Sequence, residues 1–550
     1  MELSRRDILK SGAILAAGAM GATALAGCSS NAESTDLAAT GEGGWDREAD
    51  IVIVGAGMGG MCAGVQALEN GVQNVLVVEI SRHIGGSTSF SFGTVHAGSA
   101  GTTEDSYNAY TQGLGVGHSI GSKSVMETPD LQNWLADMGM PLKITEAGKT
   151  SAAEANSHGH DNSAPRAHMI DEEGNEGPTG PVNFFRQFSA LYEERGGQLL
   201  TETEVKKVLQ DEYGNVIGVL AADKDGNPIR IGTTQVILAT GGFQNDEELK
   251  QRYFGGPDSY MSANMSSPYL TGSGMRMALE CGASLQGDMA GHAGEWVCAQ
   301  PAKNWMADVE AWEASDYNDE PEGGKWWLFS TIVDNLAQNG ILVNLDGKRF
   351  CDELGSGHVW ERFLDEQRLA TAHMICDQTV WDEFLALGTR DATADMAEKL
   401  EILTSDVVGG AYYTGNTVEE LADNMNAAGI ATHKVHKGNL VRTIAEYNEA
   451  AANGTGADLE VPRVAHEPVA LSTPPYYALP IRNAVFVCFG GVAINDQAQV
   501  LDGSKKPIRG LYATCPCAGG FMYDFYCGSI STAGVSGRWA ANAAAAALSA

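Results

Sequence analysis

Residues 51–60 read Ile-Val-Ile-Val-Gly-Ala-Gly-Met-Gly-Gly, an apolar run that passes directly into a glycine-rich turn. Residues 61–68 continue with a helix-like pattern, and a second apolar run, residues 75–78, ends at the acidic Glu79. A strand, a glycine turn, a helix, a second strand and an acid in this order are typical of a unit that binds a dinucleotide. The segment therefore predicts such a site near the start of the folded part of the chain.

The glycines of this unit have separate roles in that interpretation. Gly55 permits the tight turn, Gly57 lets the backbone approach a pyrophosphate, and Gly60 lets the helix pack closely on the strand. The helix N-terminus offers N–H groups to the phosphates. Glu79 lies where an acid can bind a ribose hydroxyl. The alternative is a glycine-rich turn in an ordinary helix–sheet unit that binds no ligand.

The composition limits the partners of the chain. Its 550 residues suffice for one large core and an inserted second domain. The 35 Lys and Arg against 70 Asp and Glu give a formal net charge of −35. This charge argues against binding to nucleic acid and against adhesion to anionic lipid. The negative charge would favour binding of a basic electron-donor protein. The alternative explanation is that the acidic residues only keep the surface solvated.

The N-terminal segment has the features of an export signal. Residues 4–10, Ser-Arg-Arg-Asp-Ile-Leu-Lys, match a twin-arginine signal, and the apolar run at 11–26 is too short and too glycine-rich for a membrane span. Residues 25–28, Leu-Ala-Gly-Cys, resemble a lipoprotein processing box, with Cys28 as the lipidated residue. A plain cleaved signal peptide is the alternative. We therefore expect an envelope protein that is lipid-anchored to the outer face of the cytoplasmic membrane.

The cysteines indicate no internal electron relay. None of the 10 lies in a Cys-x-x-Cys-His haem sequence, and no spacing is typical of an iron–sulfur or four-cysteine metal site. No metal site is predicted, because the pair His158 and His160 has no evident third ligand. The segment 515–517, Cys-Pro-Cys, is either redox-active or a pair of small apolar fillers. Electrons would therefore come from a separate protein.

Five further segments occur in an informative order. They are residues 84–93 (Ile-Gly-Gly-Ser-Thr-Ser-Phe-Ser-Phe-Gly), 236–243 (Val-Ile-Leu-Ala-Thr-Gly-Gly-Phe), 339–350 (which includes Asn-Gly-Ile-Leu-Val-Asn and Gly-Lys-Arg-Phe), 489–492 (Phe-Gly-Gly-Val) and 510–513 (Gly-Leu-Tyr-Ala). This series resembles the fumarate reductase/succinate dehydrogenase flavoprotein family, which includes urocanate reductases and 3-ketosteroid dehydrogenases. The resemblance covers about residues 48 to 550.

The resemblance implies an α/β fold in which a Rossmann-like FAD-binding domain carries an inserted α+β capping domain. The implied cofactor is one non-covalent FAD per chain. The predicted boundaries are 1–28 for the signal, 29–47 for a flexible tether, 48–288 and 472–550 for the two parts of the FAD-binding domain, and 289–471 for the capping domain, which would contact substrate.

The predicted FAD contacts are distributed along the chain. They are Gly55, Ala56, Gly57, Gly59, Gly60, Glu79, Gly86, Ser87, Thr88, Gly93, Val205, Ala239, Thr240, Gly241, Ser531 and Thr532. The last two lie at the start of a C-terminal helix, whose N-terminal amides would face the flavin pyrimidine. They would stabilise the negative charge that gathers there on reduction.

The resemblance also implies the chemistry and shows where this chain departs from it. A flavin of this family exchanges hydride with a carbon next to an electron-withdrawing group, and a side chain supplies the proton. The groups that fumarate and urocanate reductases use to bind carboxylates and to deliver the proton fall here on Gly357, Val487 and Tyr526. Their relay residues fall on Val333 and Leu336. Reduction of a small dicarboxylate is therefore not expected.

The last loop resembles the ketosteroid enzymes instead, in which a tyrosine bonds the ketone oxygen. Tyr526 stands at that position and would polarise a ketone, lactone or enone carbonyl; an ordinary pocket wall is the alternative. His358 is the predicted proton donor, because an imidazole can hold a proton near neutral pH. The predicted substrate contacts are His292, Trp296, Phe92 and His96. For each histidine a purely structural role is the alternative.

These observations predict an exported FAD-dependent reductase of an activated C=C bond, acting in anaerobic respiration. The expected substrate is a bulky, largely apolar small molecule, such as a steroid-like enone, a lactone or a phenolic compound. The expected electron donor is a separate, membrane-linked multihaem cytochrome c. The alternatives are a 3-ketosteroid-type dehydrogenase that runs the reaction in reverse and an exported flavoprotein that only carries electrons.

Overall fold

The apolar runs of the sequence form strands that are buried on both faces, as expected inside a parallel sheet. All four residues of Ile51–Val54 are buried, and so are all four of Val75–Val78. The computed structural model describes residues 44–96, 119–145, 166–177, 179–256, 258–299, 329–330, 332–333, 335–353, 362–386, 412–428, 434–464, 466–523 and 526–549. The signal at 1–28 and Cys28 lie outside the described residues.

The strands are numbered in chain order. They are β1 Arg47–Glu48, β2 Ile51–Val54, β3 Val75–Val78, β4 Thr94–Val95, β5 Leu142–Thr145, β6 Arg166–Met169, β7 Gln198–Leu200, β8 Thr203–Gln210, β9 Val216–Asp223, β10 Pro228–Gly232, β11 Val236–Leu238, β12 Ala263–Asn264, β13 Leu285–Gln286, β14 His292–Cys298, β15 Ile341–Asn344, β16 Thr371–Asp377, β17 Tyr413–Gly415, β18 Tyr476–Cys488, β19 Gly491–Val492, β20 Gln499–Leu501 and β21 Pro507–Ala513.

The helices follow the same scheme. They are α1 Met58–Glu69, α2 Ile120–Asp137, α3 Thr179–Glu194, α4 Glu247–Tyr253, α5 Ser273–Glu280, α6 Arg362–Asp365, α7 Gln378–Ala386, α8 Val418–Ala428, α9 Lys437–Asn453 and α10 Ser529–Leu548. Short 3₁₀ helices span Gly86–Phe90, Ser259–Met261, Arg368–Ala370 and Gly456–Asp458. Residues 329–330, 332–333 and 335–337 are also helical. Among the described helices, none combines the length and the apolar character needed to cross a bilayer.

A mostly parallel sheet forms the centre of the FAD-binding part. Its strand order is β20-β21-β11-β2-β3-β7, in which only β20 runs antiparallel to its neighbour. A four-stranded sheet, β1-β10-β9-β8, forms a separate hydrogen-bonded ladder, and its buried side chains belong to the same apolar cluster. Helix α1 connects β2 to β3, so the strand–turn–helix–strand unit read from the sequence is present. The predicted α/β fold class is confirmed.

Another sheet, centred on β18, forms the capping part. Its order is β12-β18-β16-β15, and β14 and β17 also pair with β18. The buried apolar side chains form two clusters, one around the parallel sheet and one around this second sheet. Strand β18 contributes to both clusters: Ile481 packs in the second and Val485 in the first. The predicted boundaries at 288/289 and 471/472 stay predictions.

Helix α3 and strands β7 to β10 follow one another along the chain. Strands β7 and β8 are separate, because Glu202 between them has a φ of +50° and turns the chain. Strands β8, β9 and β10 pair antiparallel in sequence order.

The C-terminal helix α10 packs directly on the backbone of α1. A methyl group added at Gly537 would lie 2.2 Å from the carbonyl oxygen of Gly59. A methyl group added at Gly59 would lie 3.3 Å from the Ala533 carbonyl oxygen of α10. The two helices therefore approach as closely as they do because these positions carry no side chain.

We expect Gly537→Ala to push α10 away from α1 and to lower the free energy of unfolding by about 1–3 kcal/mol, as overpacked cores do. Denaturant unfolding of the FAD-bound protein measures this change. Gly503→Ala is the matched control, because a methyl group there meets no atom within 4 Å; its effect should stay within about 0.5 kcal/mol. Equal stabilities of the two variants would show that α10 can move without cost.

Candidate functional site

The turn between β2 and α1 has the geometry that its glycines predict. Gly55 has a φ of +106°, and its N–H donates to the Val78 carbonyl at 2.8 Å. A methyl group at Gly60 would lie 1.9 Å from the Gly55 carbonyl oxygen. The helix therefore starts in backbone contact with the strand.

Glu79 is held against this turn. It is 6 % exposed, its Oε2 accepts the Ala56 N–H at 2.6 Å, and its Oε1 accepts the Ser81 N–H at 2.9 Å. Charged acceptors make stronger hydrogen bonds than neutral ones. Glu79 therefore orders the turn in addition to its predicted contact with ribose, which stays a prediction.

The N-terminus of α1 is open towards the site. Its N-cap is Gly57, which offers no side-chain hydrogen bond to the first N–H groups. A methyl group at Gly57 would have only the Gly85 oxygen nearby, at 3.8 Å. The Gly85 N–H donates to the Ala56 carbonyl at 2.9 Å, which brings the Gly86–Phe90 helix beside the turn. These donors suit a pyrophosphate.

One cavity joins the segments that the sequence singled out. Its lining includes the predicted FAD contacts Gly55, Gly57, Gly59, Glu79, Gly86, Ser87, Thr88, Val205, Ala239, Thr240 and Gly241. The same lining includes Phe486 and Val487 of β18, Pro516, Tyr526, and Ser529 and Ile530 at the start of α10. The structure thus brings the dinucleotide motif and the last loop to the same cavity.

Other predicted FAD contacts do not line this cavity. They are Ala56, Gly60, Gly93, Ser531 and Thr532. Gly60 acts through packing on the strand. Gly93 has a φ of +66°, and a methyl group there would lie 2.8 Å from Met169 Cβ, so it packs against β6.

Ser531 and Thr532 direct their hydroxyls to protein atoms. Ser531 Oγ donates to the His96 carbonyl at 2.6 Å, and Thr532 Oγ1 donates to the Gly528 carbonyl at 3.0 Å. A helix has unsatisfied groups at its ends, and short side chains there bond the local backbone. Ser529 and Ile530 line the cavity in their place.

The Cys515 and Cys517 thiols are buried and form no disulfide. Burial raises the pKa of Cys515 far above its ordinary value and the pKa of Cys517 to about 11. Reactive cysteines depend on a thiolate, which these environments disfavour. The geometry therefore favours the interpretation of this pair as small apolar fillers.

Tyr526 is a buried phenol at the N-terminus of α10. Its Oη accepts the Ser529 N–H at 3.1 Å and lies 3.2 Å from Ser529 Oγ. Burial raises the pKa of Tyr526 to about 12; the bonds to Ser529 oppose this shift, and the charge of Glu295 adds to it. The hydroxyl is therefore protonated at neutral pH and able to donate a hydrogen bond.

Of the other predicted pocket residues described, His96 lies beside Tyr526 and Phe92 lies outside the cavity lining. His96 is 7 % exposed, and its ring lies edge-on to Tyr526 at 6.0 Å between centroids. Phe92 is partly buried four residues earlier and does not line the cavity. His358 and Gly357 lie outside the described residues.

The structure does not bring His292 and Trp296 to the cavity. His292 is 1 % exposed, its Nε2 lies 3.0 Å from Asp365 Oδ2, and its ring stacks on Phe254 at 4.3 Å. Trp296 is fully buried in the second apolar cluster. Both sit on β14, where pairing with β18 fixes the direction of their side chains.

The sequence analysis did not identify three residues that act on Tyr526. Phe486 packs edge-on against Tyr526 at 5.3 Å, and Ser529 bonds its hydroxyl. Glu295 is fully buried, is bonded by Ser330 Oγ, and acts on the pKa of Tyr526. An acid within the apolar strand 292–298 was the available signal for Glu295.

We expect Glu79→Gln to weaken FAD binding about 10- to 100-fold, because a charged acceptor of the turn N–H is lost and the same group is predicted to meet the ribose. The dissociation constant of FAD, measured by fluorescence on re-adding FAD to the deflavinated protein, checks this. Glu212→Gln is the control, since Glu212 is exposed and is not among the residues that line the cavity. Equal affinities of the two variants would contradict the role of Glu79.

Comparison with known proteins agrees with this site. The FAD binding domain family model matches residues 50–529. Digoxin reductase of Eggerthella lenta is 27% identical over 590 aligned positions, which cover 98% of this chain and 96% of that protein. The fumarate reductase (cytochrome) of Shewanella frigidimarina is 25% identical over 493 positions, which cover 86% of this chain and 72% of that protein.

A solved structure shares the fold. The 3-ketosteroid-Δ4-(5α)-dehydrogenase from Rhodococcus jostii superposes with a TM-score of 0.63 at 22% identity, over 91% of this chain and 98% of that one. The residues that line the cavity also fit the cofactor of the matched family, because the glycine turn, the uncapped helix and the buried acid occur together. The chain therefore belongs to the FAD binding domain family and is an FAD-dependent oxidoreductase.

Proposed function

We propose that the protein reduces an activated carbon–carbon double bond in a bulky, largely apolar substrate, such as a steroid-like enone, a lactone or a phenolic compound. The observation that carries this proposal is the buried Tyr526 hydroxyl, which lines the FAD cavity and is held by the Ser529 N–H. The reductases among the relatives support the direction: one is named for digoxin and another for fumarate.

Tyr526 acts as the electrophilic group of this proposal. FAD, when bound, supplies hydride exchange with carbon. As negative charge develops on the carbonyl oxygen of the substrate, the Tyr526 hydroxyl donates a hydrogen bond to it. The Ser529 N–H, which donates to the Tyr526 oxygen, holds the phenol in place and makes the helix N-terminus part of the same charge-stabilising group.

The apolar replacements argue against a small dicarboxylate as substrate. Val487 lines the cavity where the family resemblance places a histidine. Val333 and Leu336 are both 0 % exposed, where the resemblance places an acid and an arginine. A small dianion would meet no cation among these positions, whereas an apolar body would be desolvated without penalty.

The proton donor is proposed to be His358, with His96 as the alternative. The ring of His96 lies edge-on to that of Tyr526. His292 is less suited, because both of its ring nitrogens lie within hydrogen-bond distance of protein groups: Nδ1 is 3.1 Å from the Ala290 carbonyl and Nε2 is 3.1 Å from Asn483 Nδ2.

A dehydrogenase of the 3-ketosteroid type is the second candidate. Tyr526 in the cavity lining also supports this candidate, because a phenol that stabilises an enolate serves both directions of the reaction. A rapid-mixing experiment distinguishes the two candidates. The flavin of a reductase, once reduced by viologen, is reoxidised by an enone, whereas the oxidised flavin of a dehydrogenase is reduced by the saturated ketone. A pure electron carrier does neither.

Export and the electron donor belong to the same proposal. The twin-arginine segment and Cys28 support a lipid-anchored protein at the outer face of the cytoplasmic membrane. The cytochrome named in one relative supports a separate multihaem cytochrome c as donor. The given sequence contains no Cys-x-x-Cys-His haem sequence, and the proposal therefore places the haem on another protein.

We expect Cys28→Ser to move the protein from the membrane fraction to the soluble envelope fraction, because the lipid is the anchor in this proposal. Fractionation followed by immunoblotting measures the distribution. Cys281→Ser is the control, since Cys281 belongs to the folded body. Membrane association that survives the loss of Cys28 would refute the anchor.

We expect Tyr526→Phe to retain FAD and to lower enone reduction about 10²–10³-fold, or roughly 2.7–4 kcal/mol, the usual effect of removing one such donor. The loss should affect kcat and kcat/KM together, because the bond strengthens in the transition state. Steady-state reduction of an enone with reduced viologen measures it. Tyr512→Phe is the control, since this buried tyrosine donates to Gln235 and lies outside the cavity lining. Activity of Tyr526→Phe within about twofold of wild type would show that Tyr526 only lines the pocket.

A further inference from the structure

Ser529 differs from the other hydroxyl residues in the first turn of α10. Ser531 and Thr532 donate to backbone carbonyls at 2.6 and 3.0 Å, as short side chains at a helix N-terminus usually do. The Ser529 Oγ lies instead 3.2 Å from Tyr526 Oη, which is its one hydrogen-bond partner within the described part of the chain. The serine hydroxyl is therefore directed at a functional side chain rather than at its own helix.

Ser529 contacts the phenol through two of its atoms. Its N–H donates to Tyr526 Oη at 3.1 Å, and its Oγ lies beside the same oxygen. The N-cap of α10 is Gly528, which has no side chain to bond this N–H, so the phenol oxygen takes the place of a capping group. Both Tyr526 and Ser529 line the FAD cavity. The start of the helix thus fixes Ser529 relative to the phenol oxygen.

The packing of the Tyr526 ring does not decide where its proton points. His96 and Phe486 lie edge-on to the ring at 6.0 and 5.3 Å between centroids, which restricts the plane of the phenol. The hydroxyl hydrogen still rotates about the C–O bond to suit its partners. Two arrangements are then open: the serine hydroxyl donates to the phenol oxygen, or the phenol donates to the serine oxygen.

The charge that develops on the substrate selects between these arrangements. If the serine donates, the phenol oxygen accepts from both the N–H and the O–H of Ser529, and its own proton meets the substrate carbonyl. If the phenol donates, the serine hydroxyl meets the carbonyl instead. A phenol is the more acidic donor, so the first arrangement stabilises a negative oxygen better. Burial raises the pKa of Tyr526, and the hydrogen bonds from Ser529 oppose that rise, which strengthens the phenol as a donor.

We propose that Ser529 is a positioning residue of the reaction, whose hydroxyl donates to the Tyr526 oxygen and so directs the phenolic proton towards the substrate carbonyl. The inference rests on the proposed function, in which Tyr526 is the electrophilic group. Hydrogen bonds that follow one another in a chain polarise each other, so each donor strengthens the next. Ser529 therefore acts on the transition state through Tyr526.

The test is a double-mutant cycle on the full-length FAD-bound protein, with testosterone as the enone. Ser529→Ala, Tyr526→Phe and the double variant are compared with wild type, because such a cycle isolates the interaction between two residues. Reduced viologen first reduces the flavin, and its reoxidation by the enone is followed by absorbance. The dissociation constant of testosterone is measured separately, without turnover, from the change in flavin absorbance of the oxidised protein.

Ser529→Ala should slow flavin reoxidation about 5- to 20-fold, less than Tyr526→Phe does, because the serine acts through the phenol. The dissociation constant of testosterone should change less than about threefold, since the phenol still meets the uncharged carbonyl of the ground state. Ser529→Thr keeps the hydroxyl and should stay within about threefold of the wild-type rate, whereas Ser529→Cys, with its weak S–H donor, should resemble Ser529→Ala. Ser549→Ala, at the exposed far end of α10, is the control and should leave the rate unchanged.

In the Tyr526→Phe background, the added Ser529→Ala change should alter the rate less than about twofold, because its target is absent. The inference would be overturned by an equal loss in both backgrounds, by a loss larger than that of Tyr526→Phe, by a wild-type rate in Ser529→Ala, or by a Ser529→Thr variant as slow as Ser529→Ala. If Ser529→Ala does not retain FAD, Ser529→Cys takes its place in the cycle. Failure of the proposed function shows differently: testosterone would not reoxidise the wild-type flavin, or Tyr526→Phe would react as fast as wild type.

Discussion

The backbone contact between α1 and its two neighbours is the constraint on which the site depends. At one end of α1, Gly60 meets the Gly55 carbonyl, and Gly59 meets Gly537 of α10. These contacts bring the N-termini of two helices to one cavity. One terminus suits the phosphates of a dinucleotide, and the other supports the phenol of Tyr526. A side chain at these glycines would separate the two functions in space.

The sequence was sufficient for the parts of the site that local geometry determines. A positive φ at Gly55, an uncapped helix and an acid after the second strand follow from residue type and spacing, and each has its counterpart in the structure. The fold class followed from the order of several such segments. The contacts that these residues make with FAD stay predictions.

The rest could not be read from the sequence because pairing between distant strands decides it. His292 and Trp296 lie on β14, and their direction depends on its register with β18, which shifts at Ala293 and Gly294. Ser531 and Thr532 were one or two positions from the residues that line the cavity, since a helix turns each successive side chain by about a quarter of its circumference.

Strand β18 has a consequence for how such enzymes diversify. Because Ile481 packs in one apolar cluster and Val485 in the other, the capping part joins the FAD-binding part through a continuous hydrogen-bonded strand. A chimera that combines the FAD-binding part of one enzyme with the capping part of another would therefore need its junction inside this strand. Its strand pairing would then change together with the new capping part. A junction that gained a single residue would turn Phe486 and every later side chain to the opposite face. New substrate preferences on this scaffold should accordingly arise more readily by substitution at alternate positions of the strand, which share one face, than by exchange of whole capping parts.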